Sequence, residues 1–190
     1  MAKYDTDCLV ILAGGQSRRM GRDKALVEIQ GKRMIDHMID RFSACDLPII
    51  ISGPQDYSTG LEFVPDNPKA PYGPVGAIFS LSLYFLDRNP PVRGFYTVPV
   101  DAPYAPLDLI EKLEAHQSCT VASSNNQLHP VFAYWDCTTV KSIEVNQKAG
   151  SNNPSLQWLA RQCGAKTVDW ADHSSFTNIN TPEQLKDANK

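Results

Sequence analysis

Hydrophobic residues along the chain form two kinds of pattern, unbroken apolar runs and runs with helical spacing. The segment 8–12, which reads Cys-Leu-Val-Ile-Leu, predicts a strand that is buried on both faces. Four apolar residues at i, i+3, i+4 and i+7 then predict one face of a helix: Ile35, Met38, Ile39 and Phe42. A buried strand followed by an amphipathic helix is typical of an α/β fold.

The same alternation continues through the first half of the chain. Short apolar runs predict strands at 48–52, 61–65 and 94–100, and helical patterns end near Leu86 and begin after Pro106. Repeated βαβ units predict a three-layer, doubly wound, mostly parallel sheet of Rossmann-like type. Right-handed crossovers place the carboxyl ends of the strands along one edge, at Leu12, Ser52, Asp66 and Asp101.

The second half of the chain mixes strand and helix patterns. Strands are predicted at 119–122, 130–134, 165–168 and 176–179, and helices at 136–146 and 154–162. A last helix from Pro182 to about Ala188 has the strongest local signal, because Thr181 is an N-cap residue and Gln184 completes a capping box. Neither linker nor repeat interrupts the sequence, so we expect a single domain over 1–190.

Composition narrows the range of partners. The formal net charge of -3 disfavours a sequence-independent nucleic-acid binder, and no apolar run approaches the ~20 residues that span a bilayer. The first residues lack the apolar core of a signal peptide, so we expect a cytoplasmic protein without nucleic-acid or membrane partners. The five cysteines and four histidines show no ligand spacing, which disfavours both a disulfide framework and a transition-metal site.

The loop after the first strand carries the clearest chemistry. Gly14 and Gly15 are adjacent and let backbone amides approach a ligand, and four cations follow, at Arg18, Arg19, Arg22 and Lys24. Neither the G-x-x-x-x-G-K-[ST] nor the G-x-G-x-x-G motif is present. We interpret the loop as a phosphate cradle, in which main-chain groups from Ala13 to Gly15 contact a triphosphate. The alternative is a tight turn followed by a solvated basic patch.

Asp101 is the second candidate for chemistry. It ends an apolar strand at the same predicted edge as the loop, and Mg²⁺ prefers one or two carboxylates together with substrate phosphates. Asp101 is therefore a candidate magnesium ligand. Taken alone, an aspartate before Pro103 is also typical of a turn or a helix cap.

A family resemblance extends these interpretations. The string Leu12-Ala-Gly-Gly-Gln-Ser-Arg-Arg-Met-Gly-Arg-Asp-Lys24 resembles the nucleotide-binding signature of the molybdenum cofactor guanylyltransferases, a branch of the sugar-nucleotide-type nucleotidyltransferases. The segments 98–104, 127–131 and 176–183 are also similar to segments of that family, so the resemblance extends from about Val10 to Leu185. It implies a single nucleotidyltransferase domain over 1–190, with a nucleotide-binding half at about 1–104 and an acceptor-binding half at about 105–190.

The resemblance implies a reaction and roles for several residues. GMP would pass from GTP to molybdopterin with release of pyrophosphate, with Lys24 binding the nucleotide and Asp101 binding both nucleotide and Mg²⁺. Arg18 and Arg19 would join Lys24 in neutralising the leaving pyrophosphate. Asp66 would accept hydrogen bonds from guanine, helped by main-chain groups near Leu12, although 66–68 is also a plain turn signal. Ser52 stands where the family commonly has Asn.

The acceptor side is less specific in the sequence. Tyr104, Asn178 and Asn180 are candidate acceptor-binding residues, although the two asparagines could instead satisfy backbone groups before the last helix. Protein partners implied by the resemblance are cofactor-biosynthesis proteins or acceptor apoenzymes, in transient contact. Two alternatives stay open: a related nucleotidyltransferase that uses CTP or a sugar phosphate, and a non-catalytic carrier of GTP or the cofactor.

Overall fold

A seven-stranded sheet forms the centre of the molecule. The computed structural model describes residues 6–14, 23–65, 67, 73–114, 118–146 and 154–189. The described strands are β1 Cys8–Leu12, β2 Glu28–Ile29, β3 Lys32–Arg33, β4 Ile49–Gly53, β5 Glu62–Pro65, β6 Gly94–Pro99, β7 Thr120–Ser124, β8 Gln127–Asp136 and β9 Lys166–Trp170. The described helices are α1 Met34–Phe42, α2 Pro74–Leu86, α3 Leu109–Glu114, α4 Cys137–Asn146, α5 Leu156–Gln162 and α6 Pro182–Ala188.

The sheet is mostly parallel, as the sequence predicts. Its strand order is β5-β4-β1-β6-β8-β7-β9, and the first four strands in that order run parallel. β8 runs antiparallel to both of its neighbours, and β9 returns parallel to β7. Leu12 pairs with Ser52 on one side and with Pro99 on the other, so the carboxyl ends of β1, β4 and β6 share one edge. Asp66 lies outside the described residues.

Two apolar clusters cover the two faces of the sheet. Val10 of β1 belongs to the cluster that contains α2, α4 and α5 side chains, whereas Leu9 and Ile11 belong to the cluster that contains α1 and α3 side chains. This alternation follows from the two-residue period of a strand. The predicted face of α1 is confirmed, with three of its residues buried and Ile39 packed at the margin of the core.

A third, smaller cluster lies beside the main sheet. Its buried members are Val27, Ile29, Met34 and Ile179, and side chains of α6 pack against it. β2 and β3 form a two-stranded hairpin here, joined by Gln30 and Gly31, which both have positive φ. The Gln30 N–H donates at 2.7 Å to the side-chain oxygen of Asn189, the residue that follows α6, and so connects the end of α6 to this hairpin. The cluster therefore joins the segment after Lys24 to the last helix.

The predicted strand at 176–179 is wrong. A 3₁₀ turn covers Ser174–Phe176, and the chain then runs without regular structure to α6. The aromatic side chain of Phe176 is buried between β8 and β9 residues, and the Ile179 N–H donates to the Asp101 carbonyl at 2.8 Å. The backbone of this segment is hydrogen-bonded to the loop at Asp101. Its apolar residues, which suggest a strand in the sequence, are instead buried in the core.

The longest described helix is α2, with 13 residues. A membrane-spanning helix needs roughly 20. Among the described segments, no helix combines the length and the apolar character needed to cross a membrane.

Candidate active site

Lys24 and Asp101 form an ion pair at the carboxyl edge of the sheet. Lys24 Nζ lies 2.5 Å from Asp101 Oδ2, and the same ammonium donates to the side-chain oxygen of Asn180. Asp101 is 7% exposed and the Lys24 side chain 22% exposed, so the pair is largely sheltered from water while one side stays open. The structure thus brings together Lys24 and Asp101, which the sequence analysis assigns to nucleotide binding, and Asn180, which it assigns to acceptor binding.

Each member of this group is positioned by its own element. Asp101 follows β6, and its carbonyl oxygen accepts the hydrogen bond from Ile179 N at 2.8 Å. Lys24 begins the 3₁₀ turn Lys24–Leu26, whose first amide is capped when Ala25 N donates to Asp23 Oδ1 at 3.0 Å. A carboxylate at this cap position is a favourable partner for unpaired N–H groups. The ion pair is therefore set by backbone contacts at both ends.

The two asparagines before α6 differ in their contacts. Gln184 Oε1 accepts from the backbone N–H of Thr181 at 3.1 Å, as the capping box predicts, and also from the N–H of Asn180 at 2.7 Å. The Asn180 side chain accepts from Lys24. Asn178 Oδ1 is buried and has no hydrogen-bond partner within the described part of the chain. A buried, unpaired amide oxygen costs free energy unless something supplies a donor. The Oδ1 atom of Asn178 could thus still accept a hydrogen bond at this edge.

The end of β1 is held tightly by its neighbouring strands. The Ala13 N–H donates to Ser52 O at 2.7 Å, and Leu12 O accepts from Val100 N at 3.1 Å. A Cβ atom added at Gly53 would lie 3.2 Å from Ala13 Cβ, so β4 approaches the start of the loop very closely. The Ala13 amide is thus engaged in the sheet, whereas Gly14, the next residue, is exposed.

Tyr57 is a site residue that the sequence analysis missed. Its hydroxyl donates to Asp23 Oδ2 at 2.9 Å and lies 3.4 Å from the Ala13 carbonyl oxygen. The backbone oxygen of Tyr57 accepts from Arg33, which in turn pairs with Asp36. Tyr57 is 3% exposed and links Ala13, after β1, to Asp23, before Lys24. A lone tyrosine after a strand gives no sequence signal for such a role.

Comparison with known proteins identifies the family. Residues 9–163 match the MobA-like NTP transferase domain. The chain belongs to this family. It is 36% identical over 186 residues to a molybdenum cofactor guanylyltransferase of Photobacterium profundum, with 93% of this chain and 92% of the relative covered. A protein of the same name from Rhizobium rhizogenes is 30% identical over 194 residues, with 95% and 89% covered.

Solved structures show the same fold. Molybdopterin-guanine dinucleotide biosynthesis protein A from Archaeoglobus fulgidus superposes with a TM-score of 0.72 at 21% identity, covering 95% of this chain and 96% of that one. A CMP:2-keto-3-deoxy-manno-octonic acid synthetase crystallised with CTP gives a TM-score of 0.74 at 12% identity, with 97% of each chain covered. The fold is therefore that of Rossmann-like nucleotidyltransferases.

Several predicted site residues of this MobA-like domain lie outside the described residues. They are Gly15, Arg18, Arg19 and Asp66, whose roles stay predictions. Tyr104 is described, and its side chain is 48% exposed. Arg41 of α1 donates to the backbone oxygens of Tyr104, at 3.1 Å, and of Ala105. The loop after Asp101 is thus anchored to α1, while the Tyr104 ring is presented to solvent.

The oxygen donors at this edge of the MobA-like domain fit a magnesium ion. The described residues contain no group of three or more His, Cys, Asp or Glu side chains that could bind a metal by themselves. Magnesium does not need one, because it commonly uses one or two carboxylates and takes its other ligands from phosphates and water. The Asp101 carboxylate has this chemistry, and the Lys24 ammonium already occupies a cation position on it.

Proposed function

We propose that this chain is a guanylyltransferase that transfers GMP from GTP to molybdopterin and releases pyrophosphate. The single observation that supports this best is the Lys24–Asp101 pair at the carboxyl edge of the sheet, in a chain whose 36% identical relative is named molybdenum cofactor guanylyltransferase. A binding protein without chemistry has little need of a sheltered carboxylate beside a lysine at this edge.

In the proposed reaction a phosphate oxygen of the acceptor attacks the α-phosphorus of GTP in line. The new P–O bond forms as the bond to the β-phosphate oxygen breaks, and pyrophosphate leaves with that electron pair. Positioning and charge neutralisation account for most of the catalysis in such transfers. The Gly14 and Gly15 amides would contact the triphosphate, and Arg18, Arg19 and Lys24 would neutralise the β- and γ-phosphates.

Lys24 has to move for this to happen. In the structure its ammonium is shared between Asp101 and Asn180. A triphosphate carries more negative charge than one carboxylate, so it would draw the flexible lysine side chain toward itself. That movement would leave the Asp101 carboxylate and the Asn180 amide available to other partners. Nucleotide binding would thereby free Asp101 to bind Mg²⁺ and Asn180 to contact the acceptor at the same time.

Asp101 would hold Mg²⁺, which supplies charge neutralisation to the triphosphate when it is bound. The protein's contribution is a buried carboxylate, held in place where the Asp101 carbonyl accepts from Ile179 N–H. Among the described residues it belongs to no group of three or more His, Cys, Asp or Glu side chains that could bind a metal by themselves. This arrangement is suited to an ion that arrives with its phosphates.

Base and acceptor recognition follow from the remaining residues. Guanine presents N1–H and N2–H₂ side by side, a pair of donors that the Asp66 carboxylate would accept, with Ser52 and the main chain near Leu12 alongside the nucleoside. For the acceptor, the Asn178 and Asn180 side chains and the exposed Tyr104 ring would contact the pterin. Cytoplasmic location and transient contact with cofactor-biosynthesis proteins or acceptor apoenzymes belong to the same proposal.

The experiment that tests the proposal is pyrophosphate release from GTP, CTP, ATP and ITP with Mg²⁺, in the presence and absence of molybdopterin. We expect release with GTP that depends on molybdopterin. Preference for CTP or for a sugar phosphate acceptor would support a related nucleotidyltransferase instead. Binding of GTP without any release would support the carrier function and contradict the proposal.

A further inference from the structure

His129 lies in the segment 127–131, which resembles the family but has no part in the reaction as described so far. It belongs to β8 and is only 9% exposed. Its ring lies flat on the ring of Phe176, with centroids 4.5 Å apart and an interplanar angle of 4°. Its Nε2 atom lies 2.7 Å from Ser124 Oγ on the neighbouring strand β7. His129 therefore connects the end of the β7–β8 pair to a residue of the irregular segment before α6.

Ser124 connects His129 to a second histidine. Its hydroxyl also lies 2.9 Å from His173 Nδ1. A hydroxyl can donate one hydrogen bond and accept another, so both contacts are satisfied when one imidazole accepts and the other donates. Burial and the nearby His173 both lower the pKa of His129, which favours its neutral form. Ser124 and His129 together hold residues 173 and 176.

Phe176 is fixed by aromatic rings on further sides. Its ring meets Phe132 edge to face, with centroids 5.0 Å apart, and Trp170 at 5.6 Å. Such pairs have defined geometry and add to the free energy of burial. With His129 stacked on its face, the Phe176 ring has little freedom to shift.

The chain leads directly from Phe176 to the candidate active site. Two residues later, Asn178 presents its buried and unpaired Oδ1. Ile179 then donates to the Asp101 carbonyl, and Asn180 accepts from Lys24. An extended chain spans only about 3.3–3.6 Å per residue, so a displaced Phe176 would displace Asn178 with it. The Ile179 contact at the far end is made by the backbone and needs no help from His129.

We propose that His129 is a positioning residue for acceptor binding: by stacking on Phe176 and sharing Ser124 with His173, it fixes the segment 173–178 that carries Asn178. This inference rests on the proposed function, because it concerns the acceptor of that reaction. His129 would influence the pterin side through Asn178, whereas the backbone contact of Ile179 with Asp101 anchors Asn180 beside Lys24 without His129. The variants should therefore affect the acceptor more than the nucleotide.

The test compares three variants of the full chain in the pyrophosphate-release assay with GTP, Mg²⁺ and molybdopterin. His129→Ala removes the stack and the hydrogen bond, and Ser124→Ala removes only the hydroxyl, in case the first variant does not fold. Tyr134→Phe is the matched control, because Tyr134 is also a buried β8 residue, but its hydroxyl donates to Asp7 near the opposite edge of the sheet. The GTP Kd of each variant is measured separately by calorimetry.

We expect His129→Ala and Ser124→Ala to raise the KM for molybdopterin about tenfold, below the roughly 100-fold loss that a misplacement of 1 Å can cause. Their GTP Kd should stay at the wild-type value, and Tyr134→Phe should change neither constant. An unchanged molybdopterin KM in both variants, or an equal rise in GTP Kd, would overturn the inference. Failure of the proposed function would look different, because wild-type protein would then release no pyrophosphate.

Discussion

The hydroxyl of Tyr57 lies 2.9 Å from Oδ2 of Asp23, the residue immediately before Lys24. Tyr57→Phe removes this hydroxyl and keeps the buried ring. A hydrogen bond to a charged group contributes about 1.5–3 kcal/mol, and we expect a loss near the lower end in the free energy of unfolding. Because Asp23 caps the turn that begins at Lys24, GTP affinity should also fall, by about tenfold, which corresponds to ~1.4 kcal/mol.

Denaturant unfolding and calorimetric titration with GTP measure these two effects. Tyr84→Phe is the matched control, since the Tyr84 hydroxyl also donates to a carboxylate, that of Glu62 at the start of β5. The control should leave GTP affinity unchanged. Equal GTP affinity in Tyr57→Phe and wild-type protein would show that Tyr57 does not position Lys24.

Asp101→Ala should abolish most of the activity. The change removes the proposed magnesium ligand and the partner of Lys24, and loss of one preorganised electrostatic group costs at least ~100-fold in rate. The measurement is the turnover number for pyrophosphate release at saturating GTP and Mg²⁺. Asp40→Ala, which breaks an exposed pair with Lys32, serves as the control. A turnover number that stays at the wild-type value would remove Asp101 from the mechanism.

Lys24→Met should have opposite effects on metal and nucleotide binding. With the ammonium gone from Asp101, the carboxylate of the nucleotide-free protein should take up a divalent cation more readily, while GTP should bind more weakly. Titration with Mn²⁺ followed by electron paramagnetic resonance measures the first effect, and calorimetry the second. Lys32→Met is the control for loss of one positive charge. Weaker Mn²⁺ uptake by Lys24→Met would contradict a competition between lysine and metal.

Asp66→Asn tests the origin of base specificity. An amide in place of the carboxylate keeps one acceptor and adds a donor, so it no longer matches the two adjacent donors of guanine. We expect the preference for GTP over ATP and CTP to shrink, as measured by kcat/KM for each triphosphate. Discrimination that is identical before and after the change would leave Asp66 with no role in reading the base.

The environment of His129 makes the stability of the protein dependent on pH. Burial lowers the pKa of His129 below its ordinary value of 6.5, so the unfolded chain binds more protons than the folded chain as the pH falls through that value. The free energy of unfolding should therefore decrease below about pH 6.5. His129→Phe keeps an aromatic ring and cannot titrate, so its urea-unfolding free energy should vary less over roughly pH 5 to 8. Identical pH slopes would contradict this.

The elements that the sequence predicts well are those with strong local signals. The apolar run of β1, the helical face of Ile35 and Met38, and the caps of α6 each determine their structure within a few residues. Parallel pairing then brings the ends of β1 and β6 to one edge, which is why Lys24 and Asp101 could be predicted to share a site. The rules of sheet topology thus predict where in the fold these local elements place their site residues.

The parts that escaped prediction depend on contacts between distant residues. β2 and β3 have two residues each, too few to show a period of two, and only the turn at Gln30–Gly31 marks them. The sequence wrongly predicts a strand at 176–179, because the apolar Phe176 fits a strand pattern although it belongs to a 3₁₀ turn. Tyr57 and His129 contribute through partners on other elements, at Asp23 and Phe176. Sequence spacing contains no information about those partners.

The small cluster around Ile179 has a practical consequence for handling the protein. Side chains of α6 pack against this cluster. Ile179 lies between Asn178, whose Oδ1 has no partner among the described residues, and Asn180, whose side chain accepts from Lys24. Changes within α6 should therefore alter the proposed catalytic pair of Lys24 and Asp101 from a distance. Preparations that differ within α6 should accordingly have their kinetics compared before their activities are pooled.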